Sequence, residues 1–182
     1  MHALEELERL WRAMPPAPRD RGSVRAICVR KGNGIHQTPP RVTLSERRGV
    51  EGDRWADSVD RDPEAQVTLM AARVAELVAS ERTPFYGAGD NFYVDLDLAE
   101  DALPPGTRLR IGTAVLEVSS KPHTGCKKFR ERFGVEALRW VNHKMNRALR
   151  LRGINCRVVT AGEVSVGDEV TVLLSRPSPE RG

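Results

Sequence analysis

The segment PHTGCKKFRERFG, Pro122 to Gly134, sets one cysteine between a His-Thr-Gly turn and a run of cations. Structural cysteines usually have apolar neighbours, whereas Cys126 is followed by Lys127, Lys128, Arg130 and Arg132. With Thr124 available as an N-cap, the residues after Gly125 can begin a helix. A cysteine there lies near a positive helix end and near cations, a setting that suits a thiolate. A thiolate attacks electrophiles, carries sulfur or ligates a soft metal. His123, three residues upstream, has an imidazole whose ordinary pKa of about 6.5 suits proton donation near neutrality. Cys126 and His123 are therefore the catalytic candidates, and Cys126 is also the candidate metal ligand.

The other two cysteines, Cys28 and Cys156, sit in strand-like patterns beside Ile27, Val29 and Val158 and read as core. Three widely spaced cysteines argue against a disulfide framework and against a zinc knuckle, and fit a reducing cytoplasm. The start of the chain, MHALEELERLWRAMPP, is acidic and has no apolar stretch of the signal-peptide kind. No apolar run approaches the roughly 20 residues that span a bilayer, so no membrane partner is expected. The net charge of +4 is modest, but cations crowd residues 127 to 152 while acids crowd 90 to 101. That asymmetry suits an anionic ligand or a solvated basic face. The few aromatic residues do not interleave with the basic run, so base stacking, and with it a nucleic-acid partner, has little support.

Around these residues the chain alternates short β-branched runs with Gly/Pro turns. ALEELERLWRAM has Leu4, Leu7, Trp11 and Met14 at helical spacing, and PPAP ends it, giving a first helix and linker over 1–18. SVRAICVR (23–30) and RVTLSE read as strands around the loop KGNGIHQTPP, in which His36 is a weaker pocket candidate. QVTLM leads into a helix over 70–81. NFYVDLDL alternates Phe92, Val94 and Leu96 against Tyr93, Asp95 and Asp97, as a half-buried strand does. PPGTRLRIGTAVLEVSS forms two strands turning at Ile111-Gly112-Thr113. After Cys126 a helix is expected with Val135, Leu138, Val141 and Met145 on one face, stopped by Gly153. INCRVVTAGEVSVGDEVTVLL closes the chain as strands, followed by a tail over 175–182. The pattern predicts a mainly β, α+β protein, a β-barrel over 23–174 with a few peripheral helices.

The ordered set RGVEGDRWADSVDRDPEAQVTL, AGDNFYVDL, LPPGTRLRIGTAVLEVS, PHTGCKKF and RGINCRVVTAGEVSVGDEVTV resembles the MOSC domain, the β-barrel found at the C-terminus of molybdenum cofactor sulfurases. The likeness spans residues 23 to 174. The family often has Glu-Asn where this chain has Asp90-Asn91. What the resemblance implies is a cysteine, here Cys126, that holds molybdenum beside a molybdopterin-type cofactor. It further implies reduction of N-hydroxylated or related N-oxygenated small molecules; no flavin, haem or iron–sulfur motif is visible in the sequence, so a separate electron-donor protein is expected. The family was also proposed to carry sulfur as a persulfide or to handle the cofactor. A barrel that has lost the cofactor and only binds is a third reading. The pyridoxal phosphate domain of the sulfurases has no counterpart in this length, so no pyridoxal phosphate is expected. A cofactor phosphate needs cations and backbone donors, for which Lys31 in RKGNG, Arg54 and Arg61 in the Gly/Asp-rich loop, and Lys127 are candidates. Asn91 matches the family's asparagine. Asp53 and Asp168 read as Gly-Asp turn residues.

Overall fold

The computed structural model describes residues 2–173, so the expected tail over 175–182 lies outside the described residues. Its strands are β1 (Arg21–Ile27), β2 (Val29–Gly32), β3 (Ile35–Gln37), β4 (Arg41–Ser45), β5 (Gly49–Val50), β6 (Val67–Ala71), β7 (Phe92–Val94), β8 (Arg108–Ile111), β9 (Ala114–Val118), β10 (Ile154–Thr160), β11 (Gly162–Ser165) and β12 (Glu169–Leu173). The helices are α1 (Leu4–Ala13), α2 (Ala72–Val78), α3 (Lys127–Phe133) and α4 (Val135–Asn142).

Seven strands close into a barrel in the order β1-β12-β8-β9-β10-β6-β7. Closure leaves the barrel no free edge. All neighbouring pairs are antiparallel except β6 and β7, where Leu69 stands opposite Phe92 in a parallel register. A parallel pair needs a long crossover, and the stretch with α2 provides it. β11, β4 and β5 form a separate three-stranded sheet, and β2 and β3 a hairpin. β8 and β9 turn at the expected place, with Ile111 opposite Ala114.

The first helix packs on its own chain. Leu7 is buried in the core, and Trp11 meets Trp140 of α4 edge-on, with ring centroids 6.1 Å apart and planes at 69°. Such a pair contributes about 0.5–1.5 kcal/mol beyond its buried area. The apolar stripe of α1 therefore covers α4 and α2.

Three expectations are corrected. The helix expected over 70–81 is α2, Ala72–Val78, because the barrel strand β6 takes Met70 and Ala71. The run Phe92-Tyr93-Val94 is buried on both faces, not one, because β7 lies between β1 and β6 beneath the crossover. The single helix expected after Cys126 is broken at Gly134, whose φ of 91° is open to glycine and costly for other residues. α3, α4 and a 3-10 turn at Lys144–Leu149 replace it. The expected apolar face ran across those breaks, so Val135 and Met145 are 46% and 76% exposed, while Val141 is buried as expected and Ala137 and Trp140 join it.

Candidate functional site

A cavity of about 190 Å³ opens where the β2–β3 hairpin, the 88–90 turn, the Cys126 loop and the start of β10 converge. Cys126 stands at its rim, exposed, on extended backbone one residue before α3, and its side chain makes no capping bond. The loop that carries it is held from α4. Gly125 N–H donates to Asn142 Oδ1 at 2.8 Å, and Asn142 Nδ2 donates to the Gly125 carbonyl at 3.0 Å. A side chain at Gly125 would meet Leu138 at 2.7 Å, so the loop lies flat on α4. The helical turn then sends Lys128, Phe129 and Arg132 to the cavity. Lys127 points away, 79% exposed, toward Glu131.

The inner wall is built on Asp90, fully buried. Its Oδ2 accepts from Arg152 Nη1 at 2.6 Å, and the Arg152 guanidinium lies 5.1 Å over the Phe129 ring. Tyr93 fixes the turn that presents Asp90: its hydroxyl accepts from the N–H of Gly89 (3.0 Å) and of Asp90 (3.2 Å) and donates to the Tyr86 carbonyl (2.8 Å). Gly89 has φ of 80°, and a Cβ there would reach His36 at 2.9 Å, so only glycine leaves room for the imidazole. His123, with its side chain 16% exposed, brings Nδ1 to 3.5 Å from Asp90 Oδ1, too long for a hydrogen bond. His123 Nδ1, Asp90 Oδ1 and Arg152 Nε are all buried without a partner.

Burial first, then the charge of Arg152, lowers the His123 pKa to about 4, against the opposing pull of Asp90. At neutral pH His123 is therefore a neutral imidazole, one nitrogen donating and one accepting. The ordinary value expected from its residue type is thus lowered by its surroundings. His36 is also lowered, by burial and then by Arg132, Arg30 and Arg54.

Behind the cavity lies a second buried cluster. Asp53 accepts from Arg30 N (2.8 Å), Nε (3.0 Å) and Nη2 (2.9 Å), from Trp55 N (2.9 Å) and from Asn91 Nδ2 (3.0 Å). Burial pushes its pKa up, but the Arg30 bonds and charge outweigh it and hold the carboxyl below its usual range. Asn91 also donates to the Cys28 carbonyl and accepts from the Thr68 and Arg30 donors.

Among the predicted residues, the structure brings Cys126, His123 and Arg54 to the cavity, with His36. Asn91 supports it from behind. Lys31 donates to the Gly52 carbonyl at 2.9 Å, and Arg61 to the Ala56 carbonyl at 3.2 Å while lying over Trp55; neither lines the cavity, and nor does Lys127. Arg30 and Arg152 line it unanticipated, and Lys128 and Arg132, read from the sequence only as cations favouring the thiolate, line it as well. Cys28 and Cys156 are fully buried core residues, and burial pushes the Cys28 thiol up to about 12. Asp168 accepts from Ser165 N–H in its turn, as expected.

The MOSC domain family model matches residues 56–171, and the chain belongs to that family, which is associated with molybdenum-cofactor binding. The fold is similar to the crystal structure of the YuaD protein from Bacillus subtilis, with 16% identity and a TM-score of 0.62 over 88% of this chain and all of that one. It is also similar to YiiM from Escherichia coli, with 20% identity and a TM-score of 0.56 over 87% of this chain and 72% of that one. YiiM from Geobacillus stearothermophilus is 19% identical, with a TM-score of 0.57 over 84% and 75%. No match was found among curated proteins. No helix among the described residues is long and apolar enough to cross a membrane.

The cavity's residues fit a molybdenum–pterin group. Among the described residues no three His, Cys, Asp or Glu side chains converge as a metal cage, so a metal at Cys126 would take its other ligands from a non-protein group. Soft sulfur suits such a centre. Arg30, Arg54, Lys128 and Arg132 oppose its negative charge, and the unpartnered Asp90, His123 and Arg152 atoms match a heterocycle with donors and acceptors. The cavity is small beside the usual ~300–1,000 Å³ of ligand sites, and being open it lets a larger group project from it.

Proposed function

We propose that this protein binds a molybdenum–pterin cofactor with Cys126 as the protein's metal ligand, and reduces N-hydroxylated or related N-oxygenated small molecules. The observation that carries this reading is the exposed Cys126 at the mouth of a cation-lined cavity whose inner wall has three buried polar atoms without partners. When bound, the group supplies two-electron redox chemistry. The net reaction is R–NHOH + 2 e⁻ + 2 H⁺ → R–NH₂ + H₂O, and the electrons come from a separate donor protein.

The chain's own residues position and neutralise. Asn142 and the packing of Gly125 set where the Cys126 sulfur stands. Arg54 and Lys128 have no carboxylate partner among the described residues, which leaves their charge for an anionic ligand. Neutral His123 can pass a hydrogen bond through its two nitrogens, and the Asp90–Arg152 pair fixes the wall it works against.

The exposure of Cys126 also supports a second reading, in which the thiol carries sulfur as a persulfide and no metal turns over. Elemental analysis of native protein from a molybdenum-replete host separates the two. The cofactor reading expects near-stoichiometric molybdenum in wild type and none in Cys126→Ala. Absence from both, with a control molybdoenzyme from the same cells loaded, overturns it. An intact mass heavier by one sulfur would then favour the carrier.

A further inference from the structure

A second cavity, about 560 Å³, lies on the far side of His123 and Arg152, which line both spaces. It falls within the ~300–1,000 Å³ usual for small-molecule sites. The proposed reaction places nothing in it. Its charge is uneven. Lys144, Arg147 and Arg150 line it without a carboxylate partner among the described residues, against the single carboxylate of Glu100. Lys121, also in the wall, is paired with Asp62.

One of these cations, Arg150, is fixed in the wall by its backbone and by a hydrogen bond. Arg150 adopts left-handed backbone, φ 48° and ψ 45°, a conformation costly for arginine and ordinary for glycine or asparagine. Its Nη1 donates to the Leu103 carbonyl at 2.6 Å, which fixes the side chain in the wall. Arg152, 6% exposed, lines both cavities and ties their shared wall to Asp90. Val141 and Ile154 add apolar surface to the same wall.

We propose that this outer cavity binds an organic phosphate of nucleotide size, its phosphate met by Lys144, Arg147 and Arg150 and its flat body by the apolar wall. The phosphate has two possible sources: the tail of the cofactor, or a separate phosphorylated substrate. The assignment of substrate rests on the proposed function, whereas the phosphate site rests on the cavity alone.

Calorimetric titration of the full chain with AMP tests it, using protein made without molybdenum cofactor and protein made with it. Cofactor-free wild type should bind AMP, and adenosine should bind at least ten-fold more weakly. Lys144→Glu/Arg147→Glu should weaken AMP at least ten-fold; both residues are exposed, so the fold should hold. Arg150→Gly, which relieves the backbone but removes the bond to the Leu103 carbonyl, should also weaken AMP with little net change in thermal stability. Binding to both preparations identifies a separate ligand, and binding to the cofactor-free protein alone identifies the cofactor's own phosphate. No AMP binding to cofactor-free wild type, or equal binding by the variants, overturns the site. AMP binding in a protein that never takes up molybdenum would sink the proposed function and leave this site standing.

Discussion

Asp53 and Asp90 are both buried aspartates, each paired with an arginine and each near the same cavity, yet they differ in what is left over. Both oxygens of Asp53 face donors, from Arg30, Trp55 and Asn91. Asp90 uses Oδ2 for Arg152 and leaves Oδ1 bare, with His123 Nδ1 and Arg152 Nε bare beside it. A saturated network rigidifies a fold, while an unsaturated one carries a cost that a ligand can remove. The Arg30–Asp53–Asn91 cluster is thus the frame, tying β2 to the Gly-Asp loop and to the start of β7. The Asp90–His123–Arg152 wall is the part left open for chemistry.

The sharpest way to break that contrast is the same isosteric change at both positions. At Asp53 an amide nitrogen must face a donor whichever way it turns, and Arg30 loses its counter-charge in a mostly buried setting. Asp53→Asn should cost about 3–5 kcal/mol, the range for breaking a buried pair. At Asp90 the amide nitrogen can take the bare Oδ1 position without displacing any donor. Asp90→Asn keeps the Oδ2 bond but takes the counter-charge from Arg152, more buried than Arg30, so it should cost about 2–3 kcal/mol, less than Asp53→Asn only because no donor is turned away. Urea midpoints at unchanged m-value measure both. Molybdenum content should reverse the order, with Asp90→Asn losing more of it than its stability loss accounts for. Equal stability costs would mean that Asp90 belongs to the frame as well.

A smaller effect is expected from pH. The folded His123 resists protonation to about pH 4, while in the unfolded chain it titrates near 6.5. Between those values the unfolded state binds the extra proton, so stability falls as pH drops through the window, by at most about 1.4 kcal/mol per unit. Below about pH 4 this contribution no longer changes. Burial first, then Arg152 and more weakly Arg30, hold the pKa down, and Asp90 pulls against them. His123→Gln should flatten the decline in denaturation midpoint between pH 6.5 and 4.5. An unchanged slope would place the proton uptake on other groups.

The barrel was legible because its strands are short, β-branched and punctuated by Gly/Pro turns, and so was Cys126, set against cations where a core cysteine would not be. Choosing among neighbouring cations was not. Arg30 and Lys31 are adjacent in β2, where successive side chains point to opposite faces, and only Arg30 turns toward Asp53 and the cavity. Lys127 and Lys128 differ by a single step around α3 in the same way. Residue type carries no sign of which neighbour faces inward. Arg152 was hidden for another reason, since the approach of residue 152 to residue 90 is a barrel contact between distant segments. Tyr93 read as the wet side of a strand until the crossover covered it.

The smallest expected effect tests how the open wall receives its sulfur. Asn142 is exposed on α4, yet it makes both hydrogen bonds to the Gly125 backbone next to Cys126. Asn142→Ala removes both, and because water can replace them at an exposed site the stability cost should be about 1 kcal/mol. The loop, no longer pinned, should present the Cys126 sulfur over a range of positions. Molybdenum occupancy should then fall several-fold, and alkylation of Cys126 in the cofactor-free protein should change rate by more than that small shift in global unfolding accounts for. Those two readouts distinguish positioning from simple loss of structure, which would move stability most. Unchanged occupancy and unchanged alkylation would show instead that packing of Gly125 against Leu138 holds the loop, and Gly125→Ala, whose Cβ would sit 2.7 Å from Leu138 Cδ1, should then have the effect that Asn142→Ala lacks.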